Sequence, residues 1–112
     1  SRKTDAPDRG DVVWLQFSPR RGREQAGRRP DLTVSPKVYN EKTELALLCP
    51  ISSRIKDYPF EVKLPGDLPV SGAVRTDQVK RLDRRARRAE RIGMAFAGVM
   101  SEVLAKLATL IT

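Results

Sequence analysis

The sequence predicts an α+β or small-barrel fold, in which short strands come first and one amphipathic helix comes last. Short runs of β-forming residues alternate with turns that contain proline or glycine, and the residues after position 96 change to helical spacing. At 112 residues the chain is long enough for one modest hydrophobic core. We therefore expect a single domain over residues 1–112.

The predicted strands follow one another along the first two thirds of the chain. Tyr58–Leu64 alternates apolar and polar residues, which is the clearest strand signature in the sequence. Glu44–Cys49 is almost continuously apolar, as in a strand that is buried on both faces. Residues 1–8 precede the strands as a flexible polar arm, and residues 37–43 form one helical turn or a turn around Asn40. Further extended segments are predicted over residues 11–17, 31–36, 72–74 and 78–82.

Residues 97–111 are predicted to form an amphipathic helix that docks by its apolar side. Apolar side chains recur there at spacings of three and four, while polar residues fall outside the stripe. The members of the stripe are Val99, Met100, Val103, Leu104, Leu107, Leu110 and Ile111.

The chain is strongly basic, with 22 Lys and Arg against 14 Asp and Glu and a net charge of +8. Residues 80–91 hold seven of the cations and only two acids. An excess of this kind favours a polyanionic partner, such as nucleic acid, an acidic protein or an anionic membrane surface. The ordinary alternative is a solvated face. The run also has helical propensity, so a helix over residues 80–91 stays open beside the extended segment.

The absence of histidine and the single cysteine restrict the chemistry. They exclude zinc sites built from His and Cys, Ser–His and Cys–His triads, and ribonucleases that use paired imidazoles. Cys49 is expected to pack as a small apolar residue, and a reducing cytoplasm is the expected compartment. No run of about 18 apolar residues occurs, so we expect neither a membrane span nor a signal peptide.

A charged segment, Gly22–Pro30, lies between the first two predicted strands. It contains one carboxylate and three guanidiniums within nine residues. A loop held by two strands is a common way to place reactive groups on a rigid frame. On composition alone, a solvated hairpin loop is the more common case.

Six motifs, in order along the chain, resemble the MazF/PemK toxins of bacterial toxin–antitoxin systems. The resemblance implies a small SH3-like β-barrel of five to seven antiparallel strands with a C-terminal helix, as in CcdB, MazF and Kid. It also implies a homodimer, metal-independent and sequence-specific cleavage of single-stranded RNA, and an antitoxin whose acidic C-terminal segment blocks the RNA groove. No cofactor is implied. The motifs are Gly10–Trp14, Glu24–Pro30, Ser35–Pro36 with Tyr39–Asn40, Pro50–Ser53, Tyr58–Val62 and Asp77–Lys80.

The resemblance also implies roles for individual residues. Arg29 and Ser52 match the two positions that carry the chemistry, and Ser52 stands where the family usually has threonine. Glu24 matches an acidic loop position and is a supporting catalytic candidate. Each residue also has an ordinary structural alternative: Arg29 as a salt-bridge partner in the loop, Ser52 as a turn residue and Glu24 as a solvated charge. The candidate substrate-binding residues are Gln25, Arg28, Ser53, Arg54, Lys56, Gln78 and Lys80.

Without imidazole, RNA cleavage is expected to use the substrate's own 2′-hydroxyl, which leaves a 2′,3′-cyclic phosphate and a 5′-hydroxyl. Arg29 suits the stabilisation of phosphoryl charge, because a guanidinium binds phosphate bidentately and stays charged. Two other functions stay open: a gyrase poison of the CcdB type, and a basic SH3-like module that binds nucleic acid without cutting it. CcdB-type toxins end in Trp-Gly-Ile, whereas this chain ends in Thr109–Thr112.

Overall fold

A computed structural model describes residues 6–17, 27–66, 68–85, 87–95 and 97–111. These ranges contain seven strands, two α-helices and one 3-10 turn at Thr76–Gln78. The strands are β1 Asp11–Phe17, β2 Gly27–Thr33, β3 Leu45–Ser52, β4 Glu61–Lys63, β5 Ala73–Arg75, β6 Lys80–Asp83 and β7 Glu90–Met94. The helices are α1 Lys37–Thr43 and α2 Ala97–Ile111.

All strand pairs are antiparallel, in the order β4-β5-β3-β2-β1-β7, and β6 pairs with β3. The predicted α+β fold, with antiparallel strands followed by a C-terminal helix, is confirmed. Among the described strands, no ladder joins β4 to β7, so the barrel-like sheet stays open between them. No helix in the described part of the chain is long and apolar enough to cross a membrane.

The helical alternative for residues 80–91 is wrong. β6 and β7 occupy the two ends of this run, and the intervening turn brings the Arg84 carbonyl to the Ala89 amide at 2.9 Å. β6 pairs with β3, and β7 pairs with β1. These ladders satisfy the backbone groups, and tertiary pairing of this kind overrides an intrinsic helix propensity.

Several strands differ in extent from their predictions; β2, for example, begins at Gly27 inside the predicted loop and ends at Thr33. Only Glu61–Lys63 of the predicted Tyr58–Leu64 strand is extended, because a turn at its start directs the Glu61 amide to the Tyr58 carbonyl at 3.1 Å. β3 continues past Cys49 as far as Ser52, since β5 pairs with its last two residues.

The two faces of the sheet contribute to different apolar clusters, because alternate strand residues point to opposite sides. The face under α2 holds the larger apolar cluster, in which Val12, Leu32 and Cys49 pack with Met100 and Val103 of the helix. Cys49 is fully buried, as predicted, and burial raises the pKa of its thiol to about 12, with the charges of Asp31 and Asp77 adding to the effect. The opposite face holds a smaller cluster of Val13, Leu15, Ala46 and Leu48.

The N-terminal segment is fixed to the fold from residue 6 onward. Ala6 and Pro7 are buried, and the Asp8 carboxylate accepts a hydrogen bond from the Lys37 amide at 2.9 Å. The flexible arm predicted over residues 1–8 stays a prediction; its residues 6–8 are described and make these contacts, whereas residues 1–5 lie outside the described residues. Asn40, which is fully buried, donates from Nδ2 to the Pro7 carbonyl at 2.7 Å and to the Ser35 carbonyl at 3.1 Å.

Replacing Asn40 with alanine is expected to lower the free energy of unfolding by about 2–3 kcal/mol. The change leaves the buried carbonyls of Pro7 and Ser35 without donors, and an unsatisfied buried group costs about 1–3 kcal/mol. Urea denaturation at constant m-value measures the loss. Glu41→Ala, at the next and exposed position of α1, is the control and is expected to change stability by less than about 0.5 kcal/mol. Equal stability of the two variants would contradict the role of Asn40.

Candidate active site

A cleft of about 320 Å³ opens on the face of the sheet that does not carry α2. Among the described residues, four cationic ones line it, namely Arg29, Arg75, Lys80 and Arg87, together with one acid, Asp31. The other lining residues are Pro30, Pro50, Ile51, Ser52, Gln78 and Leu82. A concave site with this excess of positive charge concentrates anionic ligands such as phosphodiesters.

Strand register explains why Arg29 and Ser52 belong to one site. Asp31 pairs with Pro50, Leu32 with Cys49 and Thr33 with Leu48. Continuing the same antiparallel register places Arg29 opposite Ser52. Because side chains alternate along a strand, Arg29 shares the cleft face with Asp31, and Ser52 shares it with Pro50.

The other side of β3 supplies further lining residues. Lys80 pairs with Leu48 at the start of β6 and therefore points to the same face. Gln78 ends the 3-10 turn immediately before it. That turn is held by Tyr58, whose hydroxyl donates to the Asp77 carboxylate at 2.6 Å. This hydrogen bond raises the pKa of Tyr58 to about 12.

The Ser52 hydroxyl is oriented by the backbone that follows it. Its Oγ accepts a hydrogen bond from the Arg54 amide at 3.1 Å and lies 3.4 Å from the Arg54 carbonyl, to which it donates. The second contact is long, so the proton can turn to a phosphoryl oxygen. Gly72 makes this arrangement possible: its φ is +124°, and a Cβ there would lie 2.1 Å from the Ser52 carbonyl oxygen.

Arg75 lines the cleft and was not singled out from the sequence. Its Nη2 donates to the Arg54 carbonyl at 2.7 Å, and its Nε lies 3.6 Å from the Glu61 carboxylate. Glu61 is buried and also accepts from the amides of Lys56 and Asp57 at 2.9–3.1 Å. Glu61 thus holds both the cationic side chain and the loop after β3. Arg75 stands between Val74 and Thr76 in an ordinary strand pattern, so the sequence carried no signal for it.

Asp31 is the second residue that sequence reasoning missed. It lines the cleft with only 6% of its surface exposed. Burial raises the pKa of its carboxyl to about 7, although the positive charges of Arg29 and Lys80 act in the opposite direction. An acid directly before Leu32, at the start of the predicted strand over residues 31–36, was the available signal.

Known proteins share this arrangement of strands and the sequence that builds it. Residues 8–111 match the family model described as PemK-like, MazF-like toxin of type II toxin–antitoxin system. The chain belongs to this toxin family.

Two bacterial relatives and one solved structure of the PemK/MazF family illustrate the match. The Escherichia coli K12 endoribonuclease toxin MazF is 42% identical, over 94% of each chain. The Escherichia coli endoribonuclease PemK is 35% identical, over 99% of this chain and 86% of its own length. A crystal structure of MazE–MazF from Deinococcus radiodurans superposes with a TM-score of 0.90 at 52% identity, covering 95% of this chain and 96% of that one.

The structure gathers four of the predicted site residues of this PemK/MazF-family chain into the cleft: Arg29, Ser52, Gln78 and Lys80. Arg28 lies elsewhere. It points to the opposite sheet face, where its guanidinium is 5.4 Å from the Trp14 ring centroid and 2.6 Å from the Glu90 carboxylate.

The remaining predicted residues lie beside the cleft or outside the described ranges. Ser53, Arg54 and Lys56 are exposed on the loop that follows β3. Glu24 and Gln25 lie outside the described residues. Among the described residues, no group of three or more His, Cys, Asp or Glu side chains forms a metal site.

The cations of residues 80–91 do not form a single patch. Lys80 and Arg87 line the cleft. Arg84 is buried and donates from Nε to the Asn40 carbonyl at 3.1 Å, while Arg85 pairs with Glu44 at 2.8 Å and Arg91 lies 3.5 Å from Asp11. Only part of the run is therefore placed to meet a ligand in the cleft.

Proposed function

We propose that this protein is the toxin of a type II toxin–antitoxin system and acts as a sequence-specific endoribonuclease on single-stranded RNA. The observation that carries the proposal is the cleft that Arg29 and Ser52 line together with further cations, in a chain 42% identical to an endoribonuclease toxin. Cleavage of messenger RNA would inhibit translation and growth.

In the proposed reaction the 2′-oxygen of the substrate attacks the adjacent phosphorus and the bond to the 5′-oxygen breaks. Arg29 stabilises the negative charge that develops on the phosphoryl oxygens, since a fixed charge inside a cleft needs no reorganisation during the reaction. Ser52 donates a hydrogen bond to one of these oxygens. Arg75 and Lys80 hold neighbouring phosphates. The products are a 2′,3′-cyclic phosphate and a 5′-hydroxyl, and no metal or cofactor takes part.

Glu24 is proposed as a supporting residue that handles protons, with Gln25, Arg28, Ser53, Arg54, Lys56 and Gln78 as substrate-binding residues. Ser53, Arg54 and Lys56 support this assignment by their exposure beside the cleft. The pairing of Arg28 with Glu90 makes it the weakest member of the group.

The proposed partners are RNA, an antitoxin and a second copy of the chain. The cationic cleft suits the acidic C-terminal segment of a MazE-like antitoxin, and the Deinococcus radiodurans relative was crystallised as a MazE–MazF complex. Exposed large apolar side chains, among them Met94 and Ile111, support a homodimer. The proposed compartment is the cytoplasm.

The test is to incubate the purified protein with a long RNA in EDTA and to map the ends. Discrete cuts with 2′,3′-cyclic phosphate ends are expected. Intact RNA that is retarded in a gel would favour a binding module, and inhibition of gyrase supercoiling without RNA cleavage would favour a CcdB-like poison. Either result would overturn the proposed function.

Ser52→Ala is expected to lower the rate of RNA cleavage by about a hundredfold, because loss of one preorganised donor to a transition-state oxyanion costs about 10²–10³. Ser52→Thr keeps the hydroxyl and is expected to stay within a few-fold of the original rate. Single-turnover cleavage of one labelled oligonucleotide measures both variants. The exposed Ser71→Ala is the control. Full activity of Ser52→Ala would remove Ser52 from the chemistry.

A further inference from the structure

The Asp31 carboxyl is an acid at the floor of a cationic cleft. It is 6% exposed and is the one acid among the described residues that line the cleft, two residues along β2 from Arg29. No described residue donates a hydrogen bond to it. Burial raises the pKa of the carboxyl, and the charges of Arg29 and Lys80 act in the opposite direction. Glu61 shows the contrast, because that buried carboxylate accepts three hydrogen bonds from two backbone amides.

Burial makes the ionised form of this carboxyl costly, so its place in the lining of a cleft needs an explanation. A structural counter-ion would lie against its cation, as Glu61 lies against Arg75. A phosphate is not a suitable ligand, because two anions repel each other. What suits the carboxylate is a ligand edge that presents hydrogen-bond donors.

The part of RNA that presents such an edge is the base. Single-stranded RNA is read by hydrogen bonds to the Watson–Crick edges of its unpaired bases. At about 3.3 Å per residue, Asp31 lies about 7 Å along the strand from the Arg29 position. With a phosphate at Arg29 and Ser52, as in the proposed reaction, a base of the same or the next nucleotide is within reach of Asp31.

We propose that Asp31 is a specificity-determining residue that selects guanine at one position next to the cleaved bond. An ionised carboxylate only accepts hydrogen bonds, and guanine presents two adjacent donors, its N1–H and its 2-amino group. Cytosine, adenine and uracil each place an acceptor beside the donor, which repels the second carboxylate oxygen. This inference rests on the proposed RNA cleavage.

The selection depends on pH. A neutral carboxyl offers one donor and one acceptor and accommodates all four bases, so it does not select guanine. Because burial raises the pKa of Asp31 to about 7, guanine selection is lost below neutral pH and is complete above it. Arg29 from β2 and Lys80 from β6 favour ionisation. The other charged groups around the cleft are Arg75 and Arg87, and Cys49 is the titratable group on the far side of the sheet.

The experiment maps every cut in a randomised RNA, at about pH 6 and about pH 8.5, for the unmodified protein, Asp31→Asn and Glu102→Gln. Asparagine has the shape of the neutral acid and does not titrate. We expect the unmodified protein and Glu102→Gln, an exposed change on α2, to prefer guanine about tenfold at the higher pH and to lose that preference at the lower one. Asp31→Asn is expected to lack the preference at both values.

Each outcome decides one question. Cuts by Asp31→Asn with the same base preference and pH response as the unmodified protein would overturn the inference while leaving the endoribonuclease intact. Absence of cuts by the unmodified protein would overturn the proposed function itself. If Asp31→Asn does not cut, binding of 2′-O-methyl oligonucleotides that differ at one base measures the same selection. Equal discrimination by the two proteins in that assay would also overturn the inference.

Discussion

Replacing Arg29 with alanine is expected to lower the single-turnover rate of RNA cleavage by about a thousandfold. Arg29 and Ser52 both line the cleft, and in the proposed reaction the Arg29 guanidinium contacts the phosphoryl group. A charge-assisted bidentate contact is among the strongest that a protein makes to phosphate, and it strengthens as the transition state gains charge. Arg29→Lys keeps the positive charge but lacks the planar guanidinium that binds phosphate bidentately, so we expect a rate between those of Arg29→Ala and the unmodified protein.

A matched arginine provides the control. Arg85 is exposed and pairs with Glu44 at 2.8 Å, away from the cleft lining. Exposed pairs of this kind contribute about 0–1 kcal/mol, so Arg85→Ala should fold normally and cut at the original rate. Circular dichroism of both variants separates lost chemistry from lost folding. A folded Arg29→Ala protein that cuts at the original rate would show that the chemistry lies elsewhere.

Asp31→Asn is expected to stabilise the fold, and the gain should grow with pH. The pKa of Asp31 is raised from 3.8 to about 7, so the folded protein holds a proton that the unfolded chain releases. The contribution of the Asp31 carboxyl to the free energy of unfolding is therefore greatest below pH 3.8 and decreases as the pH rises to about 7. At 1.36 kcal/mol per pH unit, the whole interval corresponds to about 4 kcal/mol as an upper bound.

Urea denaturation between about pH 4 and about pH 8.5 measures this difference. Asparagine cannot ionise, so the two stability curves should converge at the acid end and separate above it. Asp57→Asn serves as the control, since the Asp57 carboxylate is exposed and pairs with Lys63. Parallel curves for the unmodified protein and Asp31→Asn would mean that this carboxyl ionises as readily in the folded protein as in the unfolded chain.

The type and order of most secondary-structure elements could be predicted, because they depend on the local periodicity of apolar residues. The three- and four-residue spacing from Val99 to Ile111 predicted α2, whose bounds are Ala97–Ile111. Strand ends were less predictable, because β3 reaches Ser52 through its pairing with β5, which is not encoded locally. The helical alternative for residues 80–91 was wrong for the same reason, because the strands that pair with this run, β3 and β1, lie far away in sequence.

The candidate site was predictable only where motifs marked it. Arg29, Ser52, Gln78 and Lys80 came from the family resemblance, and the structure brings them together. Arg75 and Asp31 could not be assigned, because their environments come from Glu61 and from strand register. Arg28 and Arg29 are neighbours in sequence, yet the alternation of β2 sends them to opposite faces of the sheet.

The division of the sheet into two faces has a consequence for how this chain can evolve. The larger apolar cluster lies under α2, whereas Gln78, Lys80 and Arg87 line the cleft on the other side. None of those three residues belongs to that cluster, so we expect substitutions at these positions to change the lining of the cleft more than the stability of the fold.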